Sequence, residues 1–497
     1  MARIVVIGAG MGALAAAARL ARQGHQVTVC EQAAACGGKL GTVRRDGFVF
    51  DTGPSVLTLP DVYRRLFADT GAPLERFVSV RPVDPACAYR FADGTEFEMP
   101  GDLRLVPGVL DDALGAGAGA QWARLHAHCE KLWHLVGESV LRRPMSGPAQ
   151  LLRRSSRPLE LAAVAPWRTL RGTGRRYLRD PRLRLWLERY ATYSGSDPRR
   201  TPAVMAVTSY VEQRYGTWYV PGGLRVLAEV LEQRCAELGV VFRYDCPVTA
   251  VDTSSGKVTG VRQADGRSER ADVVVSGVDA AALYGHLTAD PRRKRPLAAL
   301  ARAQPSLAGF VLLLALRGRD PRTPHHRVLF PAAYDAEFDA VFGVPAAPPA
   351  DPTVYISAPD DAALRPDDGH EAWFVLVNAP RHSASGAPGA IDWTAPGLRE
   401  SYAEHVLDVM AERGVDVRPR LLWHEARTPH DLERETGSLG GAIYGTSSNG
   451  IRAAFLRPAN RSPITGLFLV GGATHPGGGL PLVALSAEIV ASQIGSA

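Results

Sequence analysis

Four small residues and one acid near the start of the chain have the spacing of a nucleotide-binding turn. They are Gly8, Gly10, Gly12, Ala13 and Glu31. Gly8 permits a tight turn, Gly10 lets a pyrophosphate approach the backbone, and Ala13 allows a helix to pack closely on a strand. Glu31 can accept a hydrogen bond from a ribose 2′-hydroxyl, which disfavours a 2′-phosphate at this position. The spacing therefore predicts an adenine nucleotide site.

These residues need a strand, a helix and a second strand to position them. The apolar run 4–7 predicts the first strand, residues 13–23 the helix, and residues 27–30 the strand that delivers Glu31. The unpaired N–H groups at the start of that helix would face the phosphates. This order of elements is typical of a Rossmann-like α/β domain.

A second glycine-rich segment lies near the other end of the chain. Residues 471–479 contain five glycines, between an apolar strand predicted at 467–470 and a helix predicted at 482–494. Bare backbone can lie against a flat ring, and the positive end of the helix dipole suits the pyrimidine edge of a reduced flavin. A glycine-rich surface turn that caps the helix is the alternative. We interpret His475 as a buried histidine that orders this loop.

Composition and length limit the class of protein. A chain of 497 residues with 46% hydrophobic and 22% charged residues is typical of a globular protein with two or three domains. The apolar stretch 310–316 is far shorter than the roughly 20 residues that span a bilayer. A core strand at the very start leaves no room for a signal peptide. Six cysteines without CxxC or metal-ligand spacing predict reduced thiols, no metal site and a cytoplasmic protein.

Positive charge is concentrated in one region of the chain. Residues 142–189 contain 13 arginines and three acids, together with Leu151, Leu152, Trp167, Leu170, Tyr177 and Trp186. We interpret this region as a surface that contacts a membrane peripherally. A solvated charged face, or arginines paired with carboxylates inside the protein, are the alternatives. Nucleic acid is not expected, because no recognition motif accompanies the charge.

Changes of pattern along the chain predict three regions. Residues 1–70, 216–300 and 436–497 are expected to form a discontinuous FAD-binding domain, and residues 71–110 and 301–435 a substrate domain built on a mixed sheet. Residues 111–215, a series of short helical patterns punctuated by prolines, are expected to form a helical, membrane-facing lid.

Motifs along nearly the whole chain resemble one family. They are GAGMGALAAAARLARQGHQVTVCE, GGKLGT, FDTGPSVL, GTWYVPGGL, ADVVVSGVDA, HHRVLF, TPHDLERETGSLGGAIYG, FLRPANRS and LFLVGGATHPGGGLP. The chain resembles the carotenoid (phytoene) desaturase family of FAD-dependent, amine-oxidase-like flavoproteins. It departs from the common pattern in two places, where Ala13 replaces a frequent glycine and GVDA stands where many members have NAD.

The resemblance implies which residues hold FAD. Gly8, Gly10, Gly12 and Ala13 would lie at the pyrophosphate, Glu31 at the ribose, Gly38 and Lys39 near the phosphates, and Val248 at the adenine. Gly53, Pro54, Ser55, Gly471, Gly472, Leu480 and Pro481 would surround the isoalloxazine and ribityl groups. No catalytic base is identified. Asp431, Glu435, His325 and His326 stand in shared motifs, but we interpret them as surface or structural residues.

The resemblance also implies an activity. Flavin N5 would take a hydride from an allylic carbon of a carotenoid or related polyisoprenoid, and a proton would leave the adjacent carbon, so that the conjugated polyene grows. A quinone or oxygen would be the final electron acceptor, and the protein would lie peripherally on the cytoplasmic membrane. The alternatives are a flavin-dependent polyene isomerase or saturase, a non-catalytic prenyl-lipid carrier and an amine oxidase.

Overall fold

A parallel sheet and a larger mixed sheet dominate the fold. The computed structural model describes residues 1–137, 140–145, 164–165, 167–450, 453 and 457–497. The strands are β1 Arg3–Ile7, β2 Gln26–Cys30, β3 Thr42–Arg45, β4 Phe48–Asp51, β5 Arg81–Val83, β6 Cys87–Arg90, β7 Glu96–Met99, β8 Thr217–Tyr219, β9 Val241–Arg243, β10 Val248–Ser254, β11 Lys257–Gln263, β12 Ser268–Arg270, β13 Val273–Ser276, β14 Ala308–Arg317, β15 His326–Leu329, β16 Val354–Ser357, β17 His370–Ala379, β18 Arg381–His382, β19 Ala390–Ile391, β20 Leu421–Arg427 and β21 Leu467–Leu469.

Helices of eight or more residues cover both sheets. They are α1 Met11–Arg22, α2 Asp61–Asp69, α3 Val106–Leu114, α4 Ala118–Val136, α5 Leu170–Tyr177, α6 Pro181–Glu188, α7 Val207–Tyr215, α8 Arg225–Glu237, α9 Lys294–Arg302, α10 Tyr334–Phe342, α11 Leu398–Glu412, α12 Pro429–Thr436 and α13 Leu480–Ile494.

The first sheet is parallel throughout, in the order β21-β13-β1-β2-β9. Its strand β1 is buried on both faces. Ile4 and Val6 pack on the side of α1 and α13, whereas Val5 and Ile7 pack against the small antiparallel sheet β10-β11-β12. Burial on both faces explains the unbroken apolar run that the sequence shows there. The chain therefore returns to this sheet twice after β2, first at β9 and β13 and then at β21.

The second sheet has the order β20-β14-β17-β16-β15-β6-β7 and is antiparallel except for the β15–β6 pair. Its central strands β14 and β17 pair over their full ten residues each. Alternate residues of β14 face opposite sides, with Phe310 and Leu312 towards α11 and Val311 and Leu313 towards Phe50 of β4. This two-sided burial again accounts for a continuous apolar sequence.

Helices α3 to α7 pack against the β6–β7 edge of the mixed sheet rather than standing free of it. Leu170 and Trp186 are 0% and 1% exposed, and Trp186 meets the Tyr190 ring edge-on at 5.4 Å. The prediction that these two side chains face a membrane is therefore wrong, because they belong to the core that the helices share with the sheet. Trp167 is 72% exposed, and Leu151 and Leu152 lie outside the described residues.

Some arginines of the basic region form ion pairs with carboxylates of the same protein. Arg171 forms ion pairs with Glu188 at 2.6 Å and with Asp335 at 2.5 Å, and Arg182 pairs with Asp180 at 2.7 Å. Internal pairing, the alternative left open above, therefore accounts for these arginines. In the part of the chain that the structure describes, no helix has both the length and the apolar character needed to cross a bilayer.

The predicted α/β class, with a Rossmann-like domain and a second domain on a mixed sheet, is confirmed. The first predicted strand and helix are seen as β1 and as α1, which begins at Met11 and ends at Arg22. The final helix starts at Leu480, two residues before the predicted position. The exact limits of the three regions, and the orientation of the helical one towards a membrane, stay predictions.

Candidate functional site

One large cavity, of about 770 Å³, lies between the parallel sheet, the mixed sheet and the helical region. Every residue that the sequence predicts to contact the cofactor lines it. These residues come from both ends of the chain and from the middle, so the fold brings together what the sequence separates. Their individual roles in binding stay predictions.

The glycine turn has the geometry that phosphate binding needs. Gly8 has a φ of +89°, which favours glycine, and an added Cβ on Gly10 would meet no protein atom within 4 Å. A Cβ on Gly12 would lie 2.9 Å from the Cα of Gly471, so a bare backbone is required where the two glycine segments cross. Gly10 caps α1 without a side chain, which leaves the first N–H groups of that helix free for an anion.

Glu31 is held by the turn that it follows. Its carboxylate accepts hydrogen bonds from the amide of Ala9 at 2.5 Å and from the amide of Ala33 at 2.8 Å. These two contacts fix the side chain at the end of β2, beside Gly8. Each carboxylate oxygen keeps a lone pair, so Glu31 can still accept a hydrogen bond from a ribose hydroxyl.

Lys39 connects the amino-terminal and carboxy-terminal parts of the cavity wall. Its ammonium donates hydrogen bonds to the carbonyl oxygens of Ala442 at 3.0 Å and Ile443 at 2.6 Å. Burial lowers the pKa of Lys39 to about 8. A Cβ on Gly53 would lie 1.7 Å from the Lys39 carbonyl oxygen, so this loop also needs a glycine beside it.

The second glycine segment, residues 471–479, forms a surface of bare backbone that we call the glycine bed. Buried polar groups hold it in place. Arg457 donates to the carbonyl oxygens of Tyr444 at 2.9 Å and Gly472 at 3.1 Å, and burial lowers its pKa to about 10. The Tyr444 ring packs so closely on Gly478 that a Cβ there would lie 2.3 Å away. Helix α13 begins directly after this bed and, like α1, has no side-chain cap.

His475 is buried, as we predicted from the sequence. It is 3% exposed, and Asn460 donates a hydrogen bond of 2.8 Å to its carbonyl oxygen. Its Nε2 lies 3.1 Å from the carbonyl oxygen of Val140 and 3.0 Å from that of Arg143. The imidazole therefore ties the glycine bed to the helical region.

A hydrogen-bonded chain runs from the predicted flavin contact Ser55 into the mixed sheet. Its hydroxyl lies 2.8 Å from that of Tyr355, which lies 2.9 Å from Nδ1 of His326. Burial holds the pKa of His326 well below its usual range, and it lowers the pKa of His325 to about 4. Both imidazoles are therefore neutral at pH 7, in keeping with a structural role.

The two acids from the shared motifs, Asp431 and Glu435, also have hydrogen-bond or ion-pair partners within the protein. Asp431 accepts the amide of Thr428 at 2.8 Å in a capping box at the start of α12, and it pairs with Arg399 at 3.0 Å. Glu435 lines the cavity and forms an ion pair with Arg427. Both carboxylates therefore have partners within the protein, in keeping with a structural role.

The rest of the cavity wall is largely apolar and comes from two sources. The mixed sheet contributes Val311, Phe374 and Leu376, which lie on one face because strand residues alternate. The helical region contributes a further apolar set, which includes Trp133, Val136, Val140, Leu141, Val204, Met205 and Val211. The cavity therefore joins a polar nucleotide end to a long apolar compartment.

The residues present fit an FAD molecule. The open space beside Gly10 can take a pyrophosphate, and the fixed carboxylate of Glu31 can accept a hydrogen bond from a ribose. The bare backbone at Gly472 and Gly478 can lie against a flat ring. Tyr444 and Arg457 were missed in the sequence, although both stand in quoted motifs. Their importance depends on contacts with residues 471–479 that only the fold creates.

Comparison with known proteins places this arrangement among flavoproteins. The sequence profile described as flavin containing amine oxidoreductase matches residues 14–369. The chain is 32% identical to a 4,4'-diapolycopene oxygenase of Methylomonas sp over 496 residues, which are 99% of this chain and 98% of that protein.

Two further relatives have names that describe desaturation. The chain is 32% identical to a 1-hydroxycarotenoid 3,4-desaturase of Flavobacterium sp., with 99% of each protein covered. It is 31% identical to a zeta-carotene-forming phytoene desaturase of Myxococcus xanthus, with 99% of this chain and 93% of that protein covered. Among solved structures, an oxidoreductase from Methanosarcina mazei superimposes with a TM-score of 0.64 at 18% identity, covering 99% of this chain and 100% of that one, which shows the shared fold.

Proposed function

Because the chain belongs to the family of flavin-containing amine oxidoreductases, we propose that it is an FAD-dependent oxidoreductase that desaturates a carotenoid or related polyisoprenoid. The observation that carries this proposal is the joining of two sites in one cavity. The predicted FAD contacts and an apolar compartment formed by Val136, Val211 and Leu376 share the same walls.

The residues of this chain bind and orient both partners of the reaction. The free amides at the start of α1 would hold the pyrophosphate, and the bed at residues 471–479 would hold the flat ring. The chemistry that FAD supplies when bound is acceptance of a hydride from an allylic carbon. The apolar walls would align the hydrocarbon with the ring edge.

The proton lost from the adjacent carbon balances the removal of two hydrogens. Asp431 and Glu435 are committed to Arg399 and Arg427, so we assign the proton to solvent rather than to either carboxylate. The electrons then pass to an acceptor, for which we propose a quinone or oxygen. Turnover under nitrogen with an added quinone distinguishes the two.

A second candidate activity is oxygenation of a polyene end. The relative from Methylomonas named as an oxygenase is as similar to this chain as the desaturases are, at 32% identity over nearly the full length of both. The identity alone does not separate these reactions. The mass of the product does, because desaturation removes two hydrogens and oxygenation adds oxygen.

We further propose that the protein works at the surface of the cytoplasmic membrane, from which a lipid-soluble substrate would enter. Trp167 is 72% exposed, and Arg175, Arg176 and Arg179 are exposed and have no carboxylate partner among the described residues. An indole and several cations at one end of the helical region are suited to the interface of an anionic bilayer.

The test uses purified protein reconstituted with FAD and supplied in liposomes with phytoene, neurosporene or a hydroxylated acyclic carotenoid. We expect a product lighter by two hydrogens per step, with absorption at longer wavelength. A product of unchanged mass would indicate an isomerase, and a heavier one a saturase or an oxygenase, so either would overturn desaturation. Protein that binds no FAD and alters no polyene would instead support a lipid carrier.

A further inference from the structure

One part of the cavity is polar although no predicted cofactor residue lies there. We call it the polar wall and define it by five residues that line the cavity: Arg189, Tyr193, Tyr334, Thr353 and Asn378. A hydrocarbon chain offers no hydrogen bonds, so a compartment built for hydrocarbon alone has no use for these groups.

Arg189 is a buried cation whose hydrogen-bonding capacity is only partly used. It is 6% exposed, and its guanidinium donates to the hydroxyls of Tyr193 at 2.7 Å and of Tyr89 at 3.4 Å. A guanidinium has five N–H donors. Among the residues that the structure describes, these two phenols are the only hydrogen-bond partners of its guanidinium.

The charge of Arg189 is nevertheless balanced by the carboxylate of Glu212, which lies on the other side of Tyr193. Tyr193 donates its own hydroxyl proton to the Glu212 carboxylate at 2.7 Å, and Tyr190 donates to the other oxygen of that carboxylate at 2.7 Å. The guanidinium and Glu212 therefore form a pair bridged by a phenol. A neutral ligand suits this balance, whereas a second carboxylate would upset it.

Tyr334 gives an independent sign of a missing partner. Its side chain is 4% exposed and lines the cavity, yet its hydroxyl has no hydrogen-bond partner among the described residues. A buried hydroxyl without a partner destabilises the protein. Tyr334 and Glu337 stand three residues apart on α10 and so share a face of that helix, and Arg189 lines the same cavity as Tyr334.

Glu337 fixes the remaining part of the polar wall. Its carboxylate accepts the amide of Thr353 at 3.0 Å and its hydroxyl at 2.6 Å, and the other oxygen accepts the side-chain amide of Asn378 at 2.5 Å. Thr353 and Asn378 are thus held in position, while Tyr334 and Arg189 keep donors free. The unused donors point to an oxygen supplied by a ligand.

We infer that the polar wall binds an oxygen-bearing end group of the polyene, a neutral hydroxyl or carbonyl, through donors of Tyr334 and Arg189. This inference rests on the proposed function, because the ligand is taken to be a polyene. A site that hydrogen-bonds a substrate oxygen discriminates against the analogue that lacks it, since its own polar groups would stay unpaired.

The experiment compares the FAD-loaded wild type with Tyr334→Phe, which removes only the hydroxyl. Four acyclic polyenes of equal conjugation are used, ending in hydrocarbon, hydroxyl, aldehyde or carboxylate. Binding is measured by quenching of flavin fluorescence, and kcat/KM by product absorption. We expect Tyr334→Phe to weaken binding of the hydroxyl or aldehyde form by about three- to tenfold and to leave the hydrocarbon unchanged. The better of these two ligands identifies the end group.

The control is Tyr402→Phe, which removes a buried hydroxyl that donates to the Pro349 carbonyl oxygen outside the cavity. It should leave the preference among the four ligands unchanged. If Tyr334→Phe does not retain FAD, Arg189→Lys, which keeps the charge but has fewer donors, should give the same selective loss. Equal effects on all ligands, or tightest binding of the carboxylate, would overturn the inference. Wild type that binds the ligands but alters none would overturn the proposed function instead.

Discussion

The Lys39 ammonium donates a hydrogen bond of 2.6 Å to the carbonyl oxygen of Ile443, which stands 404 positions later in the chain. A second bond, to Ala442, completes the contact. The loop that follows the nucleotide turn is thereby tied to the segment that leads into Tyr444 and the glycine bed. Lys39 thus has a structural role in addition to the phosphate contact that the family resemblance implies.

Replacing this lysine should loosen the cofactor site. We expect Lys39→Met to lower the free energy of unfolding by about 1–2 kcal/mol, because hydrogen bonds from a charged donor are lost while the cost of burying the charge is relieved. Release of FAD should be faster. Thermal unfolding and the fraction of FAD retained after gel filtration measure both effects. Lys131→Met, on the exposed side of α4, is the control, and equal FAD retention in the two variants would refute the role of Lys39.

Substitution by alanine should have different effects at Gly10 and at Gly12. A Cβ on Gly10 meets no protein atom within 4 Å, and its φ of −72° suits alanine. We therefore expect Gly10→Ala to fold normally but to bind FAD on the order of tenfold more weakly, about 1.4 kcal/mol, because the methyl group occupies the path of the pyrophosphate. Isothermal titration of the apoprotein with FAD measures the change.

Two other glycine-to-alanine substitutions serve as references for that experiment. Gly12→Ala should lower the thermal stability itself, since its Cβ would lie 2.9 Å from the Gly471 backbone. Gly108→Ala, in α3, also meets nothing within 4 Å and lies outside the cavity, so it should leave FAD affinity unchanged and raise thermal stability slightly, by up to about 1 kcal/mol, because alanine favours a helix over glycine. Wild-type FAD affinity in Gly10→Ala would show that the pyrophosphate lies elsewhere.

The sequence predicts most accurately those features that are local in the chain. The turn from Gly8 to Glu31 follows from spacing alone, because strand, helix and strand are consecutive there. The contacts of Lys39 with Ile443 and of Ser55 with Tyr355 depend on segments that meet only in the folded protein. A prediction from local pattern could not find them.

The same limit explains why Leu170 and Trp186 were placed wrongly. Arginines around them suggested an exposed surface, but charge in the sequence does not show which face of a short helix packs. In the structure their apolar side chains enter the core, while Arg171 turns to Glu188 and Asp335. Tertiary packing against β6 and β7 decided the orientation.

Exposed arginines of α5 and the loop that follows should control attachment to an anionic membrane. Each cation near such a surface contributes about 1 kcal/mol, so replacing Arg175, Arg176 and Arg179 by serine should weaken binding by about 3 kcal/mol, on the order of a hundredfold. Flotation with liposomes that contain anionic lipid, at low and high salt, measures this. The matched control replaces Arg44, Arg65 and Arg317, which are exposed elsewhere. An equal loss in both triple variants would show non-specific charge attraction instead.

Glu337 should make stability depend on pH. Burial raises the pKa of this carboxyl to about 7, although Thr353 and Asn378 donate hydrogen bonds to it. Between about pH 4.5 and 7 the folded protein keeps a proton that the unfolded chain releases, so stability falls as pH rises through this window and is constant above it. The total loss is on the order of 1–3 kcal/mol.

Glu337→Gln removes the titration and keeps the shape of the side chain. Its amide oxygen can still accept from Thr353, and rotation of the Asn378 amide can pair the two side chains. We therefore expect the variant to lose the fall in stability between pH 5 and 7, and to be more stable than wild type at pH 7.5. Urea unfolding of the FAD-loaded proteins at several pH values gives the comparison, with exposed Glu98→Gln as the control. Parallel pH curves for wild type and Glu337→Gln would mean that Glu337 is ionised throughout this range, in spite of its burial.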